Sequence, residues 1–404
     1  MIGTMDLRGR QPTPAELRAL LPRATLDIGS ATEAARAIVA AVRADGEPAL
    51  RDQALRFDGV EGHELRVPAA HIAEAVAGLT PELRAALEAA IDRVRVASAA
   101  QLAEPVSVEL SAGARVSQRW QPIDRVGLYV PGGKAVYPSS VVMNVVPAQV
   151  AGVRSIALAS PAQSDAGGRV HPTILAAAGL LGVTEVYAMG GAGAIAAFAL
   201  GVDAIGLDPV DLVTGPGNNY VAAAKRLVQG LVGTDSEAGA TEILVIADDG
   251  ADPALVAADL VSQAEHDEQA AALLVTDSAE LAENVRSRLP GLVDATLHSE
   301  RVRAALGGPQ SALVLVDDLE AAATFSDAYG PEHLELQVAD NAALLARIRN
   351  AGAIFVGAHS PVSLGDYLAG SNHVLPTGGQ ARFRPGLGVH TFVRPQQILS
   401  LIHI

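Results

Sequence analysis

Two polar residues close an apolar stretch at positions 255–266: Gln263 and His266, three apart. Leu255, Val256, Leu260 and Val261 recur at helical spacing, so both polar side chains would project from one face. An amide oxygen and an imidazole nitrogen placed this way make two corners of a tetrahedral metal site when further ligands arrive from elsewhere; otherwise they are an ordinary satisfied polar pair. Asp366 supplies the hard oxygen that the pair lacks. It lies in a Gly-, Ser- and His-rich stretch, 357–384, that also holds Ser371, Asn372 and His373, and long polar loops inside compact domains are usually functional. Glu332 and His333 follow Gly330 and Pro331. A carboxyl beside an imidazole is either an acid and base pair or a common surface dipeptide.

A second kind of signal is glycine at strand ends. Val126 to Val130 runs into Pro131, Gly132, Gly133 and Lys134; Val183 to Met189 runs into Gly190 to Ala194; Leu212 to Thr214 runs into Gly215, Pro216, Gly217 and Asn218. Bare backbone at the carboxyl end of a strand is where open α/β sheets bind ligands, although a plain turn has the same composition. The Gly215 to Asn218 turn opens a helix running to Val228, whose free N–H groups could hold a phosphate; Asn218 could instead merely cap it. Gly191, Gly193 and Ala196 only approximate a dinucleotide-binding fingerprint.

The elements that must position these residues alternate. Strands at 126–130, 156–159, 183–189 and 212–214, separated by helices, predict a parallel sheet with right-handed crossovers. The alternation resumes with strands at 243–247, 273–276, 312–316, 334–338 and 353–356, and helices at 280–289 and 319–328. The expected fold class is α/β, with two Rossmann-like parallel-sheet domains, one inserted in the other. Four parts are expected: a helical N-terminal segment, 1–28; an α/β domain from 29–128 and 241–384 carrying the metal and catalytic residues; an inserted nucleotide-binding α/β domain, 129–240; and a short tail, 385–404. Within the N-terminal third, Thr13 caps a helix to Leu21, Ser30 or Thr32 caps another, and Thr80, Pro81 and Glu82 open a third.

Composition narrows the function classes. Half of the 404 residues are apolar and few are aromatic, so the cores are aliphatic. A formal charge of −16 argues against nucleic acid or an anionic membrane as partner. The absence of cysteine removes disulfides, thiolate metal ligands and thiol nucleophiles together. Uncharged residues 135–153 are interrupted by Pro138 and Pro147 and read as loop and buried helix rather than a membrane span. The N-terminal residues lack a signal-peptide core, and a cytoplasmic location is expected.

Taken together, these segments resemble the zinc-dependent histidinol dehydrogenase family from about Arg115 to Arg394. The resemblance rests on Val126-Gly127-Leu128-Tyr129-Val130-Pro131-Gly132-Gly133, Gly215-Pro216-Gly217-Asn218, Ser262-Gln263-Ala264-Glu265-His266, Gly330-Pro331-Glu332-His333-Leu334, Gly365-Asp366-Tyr367 and Asn372-His373-Val374-Leu375-Pro376-Thr377. It implies NAD-dependent oxidation of L-histidinol to L-histidine through the aldehyde, with two NAD molecules reduced in turn at one zinc site per subunit. It implies Gln263, His266 and Asp366 as Zn2+ ligands that also meet the substrate, and Glu332 and His333 as acid and base residues, His333 also touching substrate. Thr241 and His373 would contact substrate, while Tyr129, Gly193 and Asn218 would lie along NAD. A homodimer with shared active sites is implied as well. Aldehyde oxidation through a cysteine hemithioacetal is impossible here, so water must be activated, which suits Glu332.

Two departures from the family pattern stand out. Gly193 occupies a position where the family often carries Gln, so only backbone contact to NAD is expected there. The family pattern is also lost after Arg394; Leu401, Ile402, His403 and Ile404 do not match the His-containing tail that serves the partner's site, and a truncated or frame-shifted end is expected. The alternatives are a related zinc dehydrogenase acting on another small polyol, such as a sulfopropanediol, and a non-catalytic remnant of the fold.

Overall fold

The computed structural model describes residues 2–23, 28–132, 136–236 and 239–401. Gly133, Lys134, Ala135 and the tail residues Ile402, His403 and Ile404 lie outside the described residues. The first strands along the chain are β1 (Gly3–Asp6), β2 (Val106–Ser111), β3 (Ala114–Pro122), β4 (Arg125–Tyr129), β5 (Ser155–Ser160), β6 (Val186–Ala188) and β7 (Leu212–Thr214). After these come β8 (Gly233–Thr234), β9 (Glu242–Ala247), β10 (Ala271–Thr276), β11 (Ala312–Leu315), β12 (His333–Gln337), β13 (Ala353–Val356) and β14 (Val393–Leu401).

Two compact units divide the chain. One comprises residues 1–27, 236–366 and 375–386; the other comprises 28–235, 367–374 and 387–404. The first unit is built on a parallel sheet in the order β1-β11-β10-β9-β12-β13. β9 is buried along its whole length, as expected of a strand covered on both faces. Ile243 and Val245 on one face meet Val256, Ala257 and Leu260 of the helix Pro253–Ala264. Leu244 and Ile246 on the other face meet Leu334, Leu336, Phe325 and Tyr329. That helix starts because Asp252 accepts from the N–H of Ala254 and proline occupies its first turn.

The second unit holds a parallel sheet ordered β6-β5-β4-β7-β8 and an antiparallel sheet ordered β14-β3-β2. Residues 135–153, read as loop and buried helix, contain the helix Pro138–Ala151, buried along most of its length despite Pro147. Among the described residues no helix is long and apolar enough to cross a membrane.

The α/β class with two parallel sheets matches the sequence reading, but the boundaries move. Residues 29–128, grouped by sequence with 241–384, fall instead in the unit of 129–235. The reason is packing: β4 lies between β5 and β7, and the helix Ile28–Asp45 packs against the helices Gly191–Leu200 and Asn219–Val228. The N-terminal segment is not only helical. Thr13 does cap Pro14–Leu20 in a reciprocal capping box, but β1 before it pairs in parallel with β11, Gly3 opposite Ala312. Four residues with polar Thr4 and Asp6 are too short for alternation to reveal an edge strand. Within the segment read as a tail, β14 pairs along β3 from Val393 opposite Pro122 to Leu401 opposite Ala114.

Candidate functional site

In the first unit, three side chains form one hydrogen-bonded line. Gln263 Nε2 donates to Thr241 Oγ1 at 2.6 Å, and Thr241 Oγ1 donates to Glu332 Oε2 at 2.6 Å. All three residues are buried. Because the amide nitrogen is committed to Thr241, the carbonyl oxygen of Gln263 is the end left to meet a cation or another donor. Glu332 Oε2 also accepts from the N–H of Glu242 at 2.9 Å. Burial still dominates, pushing the Glu332 carboxyl up to about 7, with the bonds from Thr241 and Glu242 opposing it.

His333 opens β12. Its register partner is Ile243, so its ring lies on the sheet face covered by the helix carrying Gln263. Nδ1 lies 3.0 Å from the carbonyl oxygen of Glu242; as a carbonyl can only accept, Nδ1 carries the proton and Nε2 keeps its lone pair in the neutral ring. Burial lowers the His333 pKa, while Asp366 and the backbone of Glu242 pull it up. Burial thus biases the ring towards its neutral form, with Nδ1 anchored on the Glu242 carbonyl.

His266 lies just past the helix end. The helix stops at Ala264 with Glu265 as its cap, and the N–H of His266 donates to the carbonyl of Gln263 at 3.2 Å. The final turn is tightened and not extended, and it keeps Gln263 and His266 on adjoining turns with the imidazole exposed. Asp366 caps the short helix Val362–Gly365. Its carboxyl is pushed up to about 6 by burial, with His333 opposing and Glu332 reinforcing, which places it within electrostatic range of both. Among the described residues no three His, Asp or Glu side chains group closely enough to hold a metal by themselves. The Gln263, His266 and Asp366 set draws one donor from an amide, so its fit rests on donor chemistry: one amide oxygen, one imidazole and one carboxylate suit Zn2+ without thiolate.

Sequence reading missed the support beneath this line. The Glu242 side chain lies on the opposite sheet face, where Arg23 bonds to its Oε1 and to the carbonyl oxygen of Tyr329. The Arg23 guanidinium also stacks 3.9 Å from the Tyr329 ring centre. Burial pushes the Glu242 carboxyl up to about 7, against the pull of Arg23. The backbone of Glu242 holds Glu332 through its N–H and His333 through its C=O, so Arg23 anchors the residue on which both depend. The only local sequence signal was an acid at the start of a strand otherwise made of apolar residues.

In the second unit, Tyr129 ends β4 and its hydroxyl accepts from the N–H of Gly191 at 3.0 Å. The ring is buried, and burial raises its hydroxyl to about 12. Gly193 lies in the first turn of the helix Gly191–Leu200. Gly215 has φ +120°, and a Cβ there would lie 1.9 Å from the carbonyl oxygen of Tyr129; only glycine lets this turn pass so close to the end of β4. The turn is clamped from below. Lys225, 1% exposed, donates to the Gly215 carbonyl at 2.6 Å and pairs with Asp235, which accepts from the Gly215 N–H at 2.8 Å. Asn218 Oδ1 caps the next helix, accepting from Tyr220 and Val221, and its exposed amide group remains for a ligand. The exposed Asn218 amide, set at a strand's carboxyl end by the clamped Gly215 turn, suits the phosphates and riboses of a dinucleotide.

His373 is held in this unit too: its Nε2 lies 3.2 Å from Ser140 Oγ at the head of the helix Pro138–Ala151. Behind it, Asn144 donates to the Ser140 carbonyl and accepts from Thr214, the residue before Gly215. Asn372 donates to the Met143 carbonyl at 2.7 Å and accepts from the Val374 N–H at 2.9 Å, fixing the chain on either side of His373.

Residues 21–403 match the sequence profile described as histidinol dehydrogenase. The chain belongs to the histidinol dehydrogenase family. A histidinol dehydrogenase of Leifsonia xyli subsp. xyli is 66% identical over 396 residues, covering 98% of this chain and 91% of that protein. The Thermobifida fusca histidinol dehydrogenase is 57% identical over 394 residues, covering 98% and 89%. Among solved structures, the histidinol dehydrogenase of Elizabethkingia anophelis superposes with a TM-score of 0.92 at 31% identity, covering 99% of this chain and 90% of that one. Histidinol dehydrogenase relatives thus span nearly all of both units, not only the motifs.

Proposed function

We propose that this member of the histidinol dehydrogenase family is an L-histidinol dehydrogenase, oxidising L-histidinol to L-histidine through the aldehyde with NAD as oxidant. In this reading Gln263, His266 and Asp366 hold one Zn2+ per subunit, and the second unit takes NAD along Tyr129, Gly193 and Asn218. When bound, zinc would fix the amino alcohol and favour loss of its hydroxyl proton, while NAD accepts hydride.

The chain's own residues handle the protons. His333, neutral and anchored through Nδ1, offers Nε2 to take the hydroxyl proton of the alcohol. Glu332 takes a proton from the water that hydrates the aldehyde, and its carboxyl value of about 7 suits a base working near neutrality. Thr241, bonded to Gln263 and Glu332 in turn, ties the metal side of the site to the base, and the second lone pair of its hydroxyl can accept from a substrate donor while both bonds stay in place. His373 completes the substrate contacts. What carries the reading is the hydrogen-bonded line from Gln263 through Thr241 to Glu332, beside an imidazole whose free nitrogen is set by its backbone bond.

The test is stoichiometry. Zinc-loaded protein should yield two NADH per histidinol, none after chelation, and recover with Zn2+; sulfopropanediol should be a poor substrate. Absence of histidinol turnover in metal-loaded protein would refute the assignment. The reading extends to a homodimer with shared sites in the cytoplasm and, from the charge of −16, to no nucleic-acid or membrane partner; a monomeric mass in sedimentation would refute the dimer.

A further inference from the structure

We propose that Gln53 is a cofactor-contacting residue, presenting at the head of the helix Gly191–Leu200 the side-chain amide that Gly193 lacks. The inference rests on the reading that this unit holds the dinucleotide. A Cβ built on Gly193 would lie 2.0 Å from Gln53 Oε1, 3.0 Å from its Cδ and 3.3 Å from its Nε2. The whole amide of Gln53 therefore rests in the space a side chain at 193 would need. A larger residue at 193 would displace the Gln53 amide from this place, and a smaller one at 53 would leave it unfilled.

Local structure explains how Gln53 reaches that point. It ends the helix Glu47–Gln53, whose Ala49 and Leu50 share a core with Ala192, Ile195 and Ala196. The next residues, Ala54–Asp58, form a π-helical turn closed by Gly59 in the left-handed region. Such turns are rare and recur at functional sites. Gln53 is half-buried, and among the described residues its amide has no hydrogen-bond partner. An amide with an acceptor and two donors thus stands unengaged beside the helix head whose Gly191 N–H is held by Tyr129. Ribose hydroxyls and phosphate oxygens of a dinucleotide are the complementary groups.

The opposing view is that Gln53 only fills space. Gln53→Met separates the two, because it keeps volume and removes the amide. Binding of NADH to zinc-free protein, followed by fluorescence, should weaken roughly three- to tenfold in this variant, the worth of a neutral hydrogen bond, with an unchanged melting midpoint. Parent-like NADH affinity in Gln53→Met would overturn the proposal. Should that variant fold poorly, the exchange Gln53→Ala with Gly193→Gln carries the test: NADH affinity within about twofold of the parent supports an amide requirement at this place, and a loss of tenfold or more overturns it. Asn218→Ala is measured alongside. If it weakens NADH and Gln53→Met does not, the proposal alone fails; if neither does, the placement of the dinucleotide fails with it.

Discussion

Replacing Glu332 by Gln separates two things that its burial joins. The amide keeps the side-chain oxygen that accepts from Thr241 and from the Glu242 N–H, so the shape and those bonds survive, but the group can no longer take a proton. Burial pushes the carboxyl from 4.5 to about 7; at about 1.4 kcal/mol per tenfold change in proton affinity, ionising it in the fold costs roughly 3 kcal/mol. An acid whose folded value lies above its unfolded one carries no such cost below about pH 4.5. The cost grows as pH rises and is complete above about 7. Glu332→Gln should therefore melt higher than the parent at pH 8.5, by up to about 3 kcal/mol, with the gain shrinking towards pH 5; chelated protein is used for both. Catalysis should move the other way. Loss of a positioned base costs on the order of 100- to 10,000-fold in the step it serves, so the second oxidation should fail and NADH per histidinol fall from two towards one. An unchanged NADH yield would refute the assigned role, and a variant less stable than the parent at pH 8.5 would refute the burial argument.

Other perturbations test neighbouring links. Asp366→Ala should lower zinc retention at least tenfold in metal analysis while leaving the fold intact by circular dichroism. Thr241→Val keeps the volume but strands the Gln263 amide and removes one donor from Glu332; it should cost about 1–3 kcal/mol in denaturant melts and move the acid limb of the pH–rate profile upward, with Thr241→Ser restoring both. Arg23→Ala should reduce kcat more than it raises KM for histidinol, since Arg23 holds Glu242, which holds both Glu332 and His333; added guanidinium should recover part of the rate. Lys225→Met leaves Asp235 buried without its partner and should cost about 3–5 kcal/mol of stability.

The sequence disclosed strands and site residues in different ways. Apolar runs such as Ile243 to Ala247 and Leu273 to Thr276 announce buried parallel strands directly, and the Gln263, Glu332, His333 and Asp366 motifs mark candidates for chemistry. What stayed hidden depends on contacts between distant segments. β1 reads as polar chain until β11 pairs with it, and β14 reads as a tail until β3 does. Arg23 has no local reason to matter; only the fold sets it against Glu242 and Tyr329. Gln53 and Gly193 are 140 positions apart, and neither type is unusual where it stands. The grouping of residues 29–128 failed similarly, because alternation reveals that a strand exists and not which sheet it joins.

The anchoring of His333 to the strand beside it has a consequence for how this enzyme can be remodelled. β12 runs in register with β9, His333 opposite Ile243, and β13 shields its far side. In its proposed role as proton acceptor, His333 is fixed to interior strands and cannot drift with surface segments, so a chimera given foreign loops should retain a correctly aimed imidazole. New alcohols would have to be accommodated around a stationary base. By the same reasoning, slipping β12 by one position would turn that imidazole to the opposite face and abolish the chemistry outright.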